Sequence, residues 1–168
     1  MDIRYEPIAL SDIPALQELA DEIWRACFIR FITPEQIDFM LGWMYGTEQL
    51  TSEIEGGYIW EFLVVDDERR GYVSMQPKPA DDVLYLNKLY LGTELHGRGL
   101  SRPLLQHVAD SARARGLGEL RLNCNKGNTP ALRAYERFGF RTIDSVVNDI
   151  GNGYVMDDYV MVCDVPVQ

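Results

Sequence analysis

The sequence predicts one mixed α/β domain over residues 1–168, built on a central sheet, and three observations lead there. The hydrophobic period is helical at first, becomes strand-like near residue 58, and turns helical again near residue 100. Helix-start signals recur: Ser11 with Pro14, Thr33 with Pro34, and Thr129 with Pro130. The chain has 168 residues and is 46% apolar, enough to bury a substantial core.

The elements follow in order. "IRYEPIAL" alternates and reads as a first strand. Ser11 is placed to cap a helix whose apolar face is Ile13, Leu16, Leu19, Ala20, Ile23, Trp24 and Cys27. Thr33-Pro34 starts a second helix with Ile37, Met40, Leu41 and Met44 on one face. "TEQLTSEIEGG" reads as a short helix closed by Gly56. "YIWEFLVV", "GYVSMQP" and "VLYLNKLYL" are rich in aromatic and β-branched residues and form an expected antiparallel meander, with "DDERRG" as its charged turn. Leu100, Leu104, Leu105, Val108, Ala109 and Ala112 define the next helix, which begins near Gly99 because Pro103 is tolerated only in a first turn. "ELRLNCN" is a strand. Leu132, Tyr135 and Phe138 line a helix ended by Gly139. "FRTIDSVV" and "YVMDDYVMVCDV" close the chain as two strands around "NDIGNG".

Several function classes are excluded at this level. A net charge of −10 opposes broad nucleic-acid binding and suits either simple solubility or a cationic small-molecule partner. No apolar run approaches membrane-spanning length, and "MDIRYEPIAL" lacks the pattern of a signal peptide, so a cytoplasmic location is expected. Cys27, Cys124 and Cys163 form neither a disulfide framework nor a metal-ligand pattern. His96 and His107 have no carboxylate or thiol at ligand spacing, so no metal is expected.

The stretch "ELHGRGLSRPLL" places two glycines around an arginine where a strand meets a helix. Either it is a tight corner, or the free N–H groups of the first helical turn hold an anion, with Arg98 adding positive charge. It is not a P-loop, because no GK[ST] follows. It is not a dinucleotide fingerprint either, because Arg102 stands where a third glycine is needed and the preceding strands lack βαβ order.

This turn, followed by "NKGNTPALRAYERFGF", resembles the GNAT family of N-acetyltransferases. In that family a Q/R-x-x-G-x-G/A turn grips the pyrophosphate of acetyl-CoA. Here it reads His96-Gly97-Arg98-Gly99-Leu100-Ser101: Gly99 matches, His96 replaces Gln/Arg, and Ser101 replaces Gly/Ala. Asn128, Ala131, Tyr135, Gly139 and Phe140 match the family's N-x-x-A-x-x-x-Y-x-x-x-G-F pattern. "FITPEQIDFMLGWMYGTEQL" and "DIGNGYVMDDYVM" resemble a bacterial polyamine acetyltransferase-like subgroup.

The resemblance implies a central, mostly antiparallel sheet of about seven strands flanked by about four helices. It implies that Leu89, Tyr90 and Leu91 lie along the pantetheine arm, one N–H polarising the thioester carbonyl. It implies that His96 to Ser101 hold the pyrophosphate, with His96 contributing through its backbone N–H. Asn128 would contact the pantetheine region, cap its helix, or do both. Tyr135, on spacing alone an ordinary core aromatic, would protonate the departing thiolate. No metal is implied.

The amine's general base has no obvious carboxylate in "LYLNKLYL"; Glu61, Asp157 and Asp158 are candidates. Trp43, Tyr45, Tyr58 and Trp60 form either an aromatic wall for an alkyl amine or core. Cys124 lies near the cofactor or fills an apolar gap.

The expected activity is acetyl transfer from acetyl-CoA to a primary amine, a small cationic amine such as a polyamine first, by direct attack in a ternary complex. No cysteine sits in an obvious nucleophile–histidine arrangement. The alternatives are a protein N-terminal or lysine acetyltransferase, and a non-catalytic acyl-CoA sensor. A homodimer through a terminal strand, "YVMDDYVMVCDV", is a further expectation of the resemblance.

Overall fold

A computed structural model describes residues 1–165. Seven strands are hydrogen-bonded in the order β1-β2-β3-β4-β5-β7-β6, with five α-helices rather than about four. They are β1 (Ile3–Pro7), α1 (Ile13–Phe28), α2 (Pro34–Met44), α3 (Thr47–Glu55), β2 (Ile59–Val65), β3 (Glu68–Lys78), β4 (Val83–Leu91), α4 (Ser101–Ala114), β5 (Glu119–Asn125), α5 (Thr129–Phe138), β6 (Arg141–Gly151) and β7 (Tyr154–Asp164). β1 pairs antiparallel with β2, β4 parallel with β5, and β7 antiparallel with both β5 and β6. The chain forms two compact units. The first holds Met1–Ser74 and Lys88–Arg98; the second holds Met75–Asn87 and the chain from Gly99.

In the first unit, α1 buries Ile13, Leu16, Ala20, Ile23 and Trp24, a helical stripe, and packs beside α2 and α3. Ser11 is not its cap. A 3-10 turn over Leu10–Asp12 precedes the helix, and the Asp12 carboxylate accepts the Ala9 N–H at 2.9 Å, which settles the chain entry instead. Thr33 caps α2 as expected, its hydroxyl accepting from the Gln36 N–H at 3.1 Å. The β2–β3 turn is only Asp66-Asp67, both left-handed at φ 49° and 67°. Such a two-residue turn matches strand twist, so Glu68–Arg70 of "DDERRG" join β3 instead of the loop.

A buried polar chain braces this unit. Trp24 Nε1 donates to the Tyr45 hydroxyl at 3.1 Å, and the Tyr45 and Tyr72 hydroxyls are 2.7 Å apart. Tyr45→Phe removes the hydroxyl that Trp24 Nε1 and the Tyr72 hydroxyl share. A buried polar group that loses its partner costs about 1–3 kcal/mol, so the urea midpoint falls while the slope stays constant. An unchanged midpoint contradicts this account.

In the second unit, α4 buries Leu104, Leu105, Val108, Ala109 and Ala112, packing beside β5 and α5. β5 contributes Leu120, Leu122 and Cys124 to the core at strand period. The terminal hairpin turns at Asn152-Gly153, both at positive φ, so β6 runs on through Asn148–Gly151. β7 pairs with β6 from Tyr154 to Val162 and with β5 from Asp158 to Asp164, so only its middle is paired on both sides, and β6 is the outer strand at this end of the order.

Candidate active site

The glycine turn joins β4 to α4. Gly97 and Gly99 sit at φ 75° and 73°, a backbone conformation that strains any side chain bearing Cβ. A Cβ at either glycine meets nothing within 4 Å, so backbone conformation and not crowding requires glycine here. Residues His96 to Gly99 and Ser101 are exposed, and Leu100 is buried beneath them. Among the described residues, the N–H groups of Gly99, Leu100, Ser101 and Arg102 donate to no backbone carbonyl or side chain. That is a row of open donors at a helix N-terminus, the arrangement that holds phosphate. The first turn of α4 holds no acidic residue, and it carries Arg102, exposed and without an ion-pair partner among the described residues, after the equally exposed Arg98. Cations at a helix N-terminus oppose the dipole, so a bound anion would balance them. In the sequence Arg102 signals only the missing third glycine of a dinucleotide motif.

His96 differs from expectation. Its backbone N–H donates to Thr93 O at 3.1 Å within a 3-10 turn, so it is not an open donor. Its Nε2 lies 3.2 Å from Leu91 O, and that acceptor assigns the proton to Nε2. Cys27 Sγ is 4.0 Å from the same nitrogen and 4.0 Å from Leu91 O. The structure thus brings together a cysteine and a histidine that the sequence left apart. Both point donors at one carbonyl, however, and no base is left to activate the thiol. Burial, then Glu94, pushes the Cys27 thiol up. Burial likewise raises Cys163, and it pushes Cys124 up to about 12, with Asp158 adding to the effect. None of the three is a thiolate at neutral pH, as a covalent acetyl-enzyme would need.

Leu89, Tyr90 and Leu91 end β4. A Cβ on Gly71 would meet Tyr90 O at 2.4 Å, so that carbonyl faces β3. Strand alternation then turns the backbone groups of Leu89 to the opposite edge. The ladder with β5 runs only from Val83↔Glu119 to Leu86↔Leu122. The next residue, Asn87, has a buried amide nitrogen with no partner among the described residues, which the sequence does not signal.

The four aromatic candidates separate. Tyr45 and Trp60 are core, Tyr58 is half-buried, and Trp43 is 47% exposed. The Lys88 ammonium lies 5.6 Å from the Tyr45 ring centroid and 5.3 Å from that of Trp60. Burial lowers its pKa, and the buried Glu53 opposes that shift. Glu53 Oε1 and Trp60 Nε1 have no hydrogen-bond partner among the described residues.

On α5, the Asn128 side chain accepts from the Ala131 N–H at 3.3 Å, so it caps the helix. Tyr135 is half-buried, its ring 5.6 Å from Phe140 and edge-on. Among the candidate bases, Glu61 is half-buried and Asp157 pairs with Lys126 at 2.8 Å. Asp158 is 3% exposed with Oδ1 unpartnered.

Residues 16–140 match the Acetyltransferase (GNAT) family, and the chain belongs to that family. Among its relatives, the spermidine N(1)-acetyltransferase of Thermoplasma acidophilum is 24% identical over 154 residues, covering 89% of this chain and 94% of that protein. The streptothricin acetyltransferase of Streptomyces lavendulae is 33% identical over 75 residues, 45% of this chain and 40% of that protein. The dTDP-fucosamine acetyltransferase of Escherichia coli is 31% identical over 132 residues, 77% of this chain and 54% of that protein. The chain therefore spans about half or less of the length of these last two relatives. The fold matches the crystal structure of the PaiA N-acetyltransferase of Thermoplasma acidophilum in complex with coenzyme A, with TM-score 0.80 and 20% identity over 98% of this chain and 99% of that one.

Proposed function

We propose that this protein transfers an acetyl group from acetyl-CoA to the primary amine of a small cationic molecule, a polyamine being the first acceptor to test. The observation that carries the reading is the row of open N–H donors from Gly99 to Arg102, set after two left-handed glycines and flanked by two unpaired arginines. Those donors suit a pyrophosphate. The bound thioester supplies the acetyl group, and the chain does the rest. Leu89 would offer its backbone N–H and C=O to the pantetheine amides. Asn128 has an ordered cap from which to contact the same arm. Tyr135 carries a phenolic O–H, a group of reference pKa about 10, that can give its proton to sulfur. The raised cysteine pKa values favour direct attack by the amine.

The cationic acceptor is supported by the likeness to a spermidine acetyltransferase and by the net charge of −10.

Titration of the purified protein with acetyl-CoA by calorimetry tests the cofactor, and thiol release over a panel of primary amines that includes spermidine tests the acceptor. Micromolar binding with release on polyamines is expected. No binding by a folded protein overturns the reading.

A further inference from the structure

Amine acetylation needs an unprotonated nitrogen, and an alkyl amine is an ammonium at neutral pH. The base that takes its proton is absent from β4, where Asn87 and Lys88 stand. Within the second unit, strand register builds one polar face. Tyr85 lies opposite Arg121, and Asn123, Asn125 and Asp158 follow on the same face of β5 and β7. Asn87 is next along β4 on that face. The Tyr85 hydroxyl donates to Asn123 Oδ1, and the Lys78 ammonium lies 4.8 Å from the Tyr85 ring centroid.

Two polar atoms in this row are buried and have no partner among the described residues: the donor Asn87 Nδ2, one residue past the end of the β4–β5 ladder, and the acceptor Asp158 Oδ1. A buried acceptor without a protein partner is completed by water or ligand. Asp158 sits opposite Asn125, the last residue of β5, from which the chain turns into α5 and Tyr135. Its neighbour Asp157 alternates to the other face, exposed and ion-paired with Lys126.

We propose that Asp158 accepts the proton that the acceptor ammonium must lose, through one water bound at its unpartnered oxygen. This rests on the acetyltransferase reading above. One ammonium proton passes to water as water passes one to the carboxylate. The freed nitrogen forms a bond to the acetyl carbon as the carbon–sulfur bond breaks. The sulfur takes the Tyr135 phenolic proton, and the second nitrogen proton restores the phenol. The titratable groups around Asp158 are Asp157, Lys126, Tyr85 and Cys124. Burial, then Asp157, raises its pKa, and Lys126 opposes them. A base raised above the ordinary aspartate range is better matched to an ammonium than a solvated one.

Asp158→Asn is isosteric. Its expected kcat on spermidine, or on whichever panel amine the wild type acetylates, falls about 100-fold or more, with acetyl-CoA affinity unchanged by calorimetry. The residual rate should rise with pH toward the pKa of the amine, because only amine already deprotonated in solution reacts. The melting temperature supplies a second readout. A raised folded-state pKa means the folded protein binds this proton more tightly than the unfolded chain, so its stabilising effect is present at low pH and lost as pH rises through the folded pKa. Asp158→Asn should therefore melt higher than wild type at neutral pH, and the gain should shrink toward acid.

A variant within threefold of wild-type kcat, with the wild-type pH profile, overturns the inference and leaves the acetyltransferase reading standing. A wild type that binds acetyl-CoA and acetylates no amine overturns both.

Discussion

Gly99→Glu is expected to abolish acetyl-CoA binding in a protein that still folds. Two effects combine at this position. Any residue other than glycine at φ 73° is strained by about 1–2 kcal/mol. A carboxylate among the open N–H groups of Gly99 to Arg102 also competes for the donors that a pyrophosphate would use and repels its charge. A loss of at least about 100-fold in affinity, equivalent to about 2.7 kcal/mol, is expected by calorimetry. Folding should survive, because a carboxylate near a helix N-terminus is favoured by the dipole and a Cβ here meets nothing within 4 Å. Gly99→Ala carries the same backbone strain without the charge, so it should lose much less affinity than Gly99→Glu. If both variants bind like wild type, the turn is a corner between strand and helix and nothing more.

Tyr135→Phe carries the second large effect. The ring packs edge-on against Phe140, a contact that phenylalanine keeps, so stability and acetyl-CoA affinity should hold. What is lost is the phenolic hydroxyl, with the proton it can donate. General acid catalysis contributes about 100-fold or more, and kcat should fall by about that factor in a steady-state assay. A kcat within threefold of wild type would return Tyr135 to the role of a half-buried packing aromatic. The two variants separate the steps: Gly99→Glu acts on binding, Tyr135→Phe on turnover.

Much of the secondary structure was legible because its causes are local. The Thr33 and Asn128 caps act within three residues, and both appear where the sequence puts them. β4 and β5 fill "VLYLNKLYL" and "ELRLNCN" from end to end. Gly97, Gly99 and Gly139 all adopt positive φ at the points where a turn or helix end is read. Misreadings arose where two local signals competed. Ser11 and Asp12 are both good caps, and the 3-10 turn decides between them. Charged Glu68–Arg70 looked like loop, yet a two-residue turn needs only Asp66 and Asp67, and an exposed strand end accepts charge.

The amino-acid sequence by itself determined the helices, most strand limits, and the glycine turn with the asparagine and tyrosine that follow it, since periodicity and backbone preference operate over a few residues. Tertiary structure alone decided which neighbour of a pair is buried. Asp157 and Asp158 are indistinguishable in sequence, but strand alternation and pairing of β7 with both β5 and β6 expose the first and bury the second. It also decided that Tyr45 meets Trp24 and Tyr72, that Lys88 lies over Tyr45 and Trp60, and that His96 turns back to Leu91 O. Most of these contacts join residues more than twenty positions apart, and their energies come from desolvation and packing that exist only once the chain has closed around them.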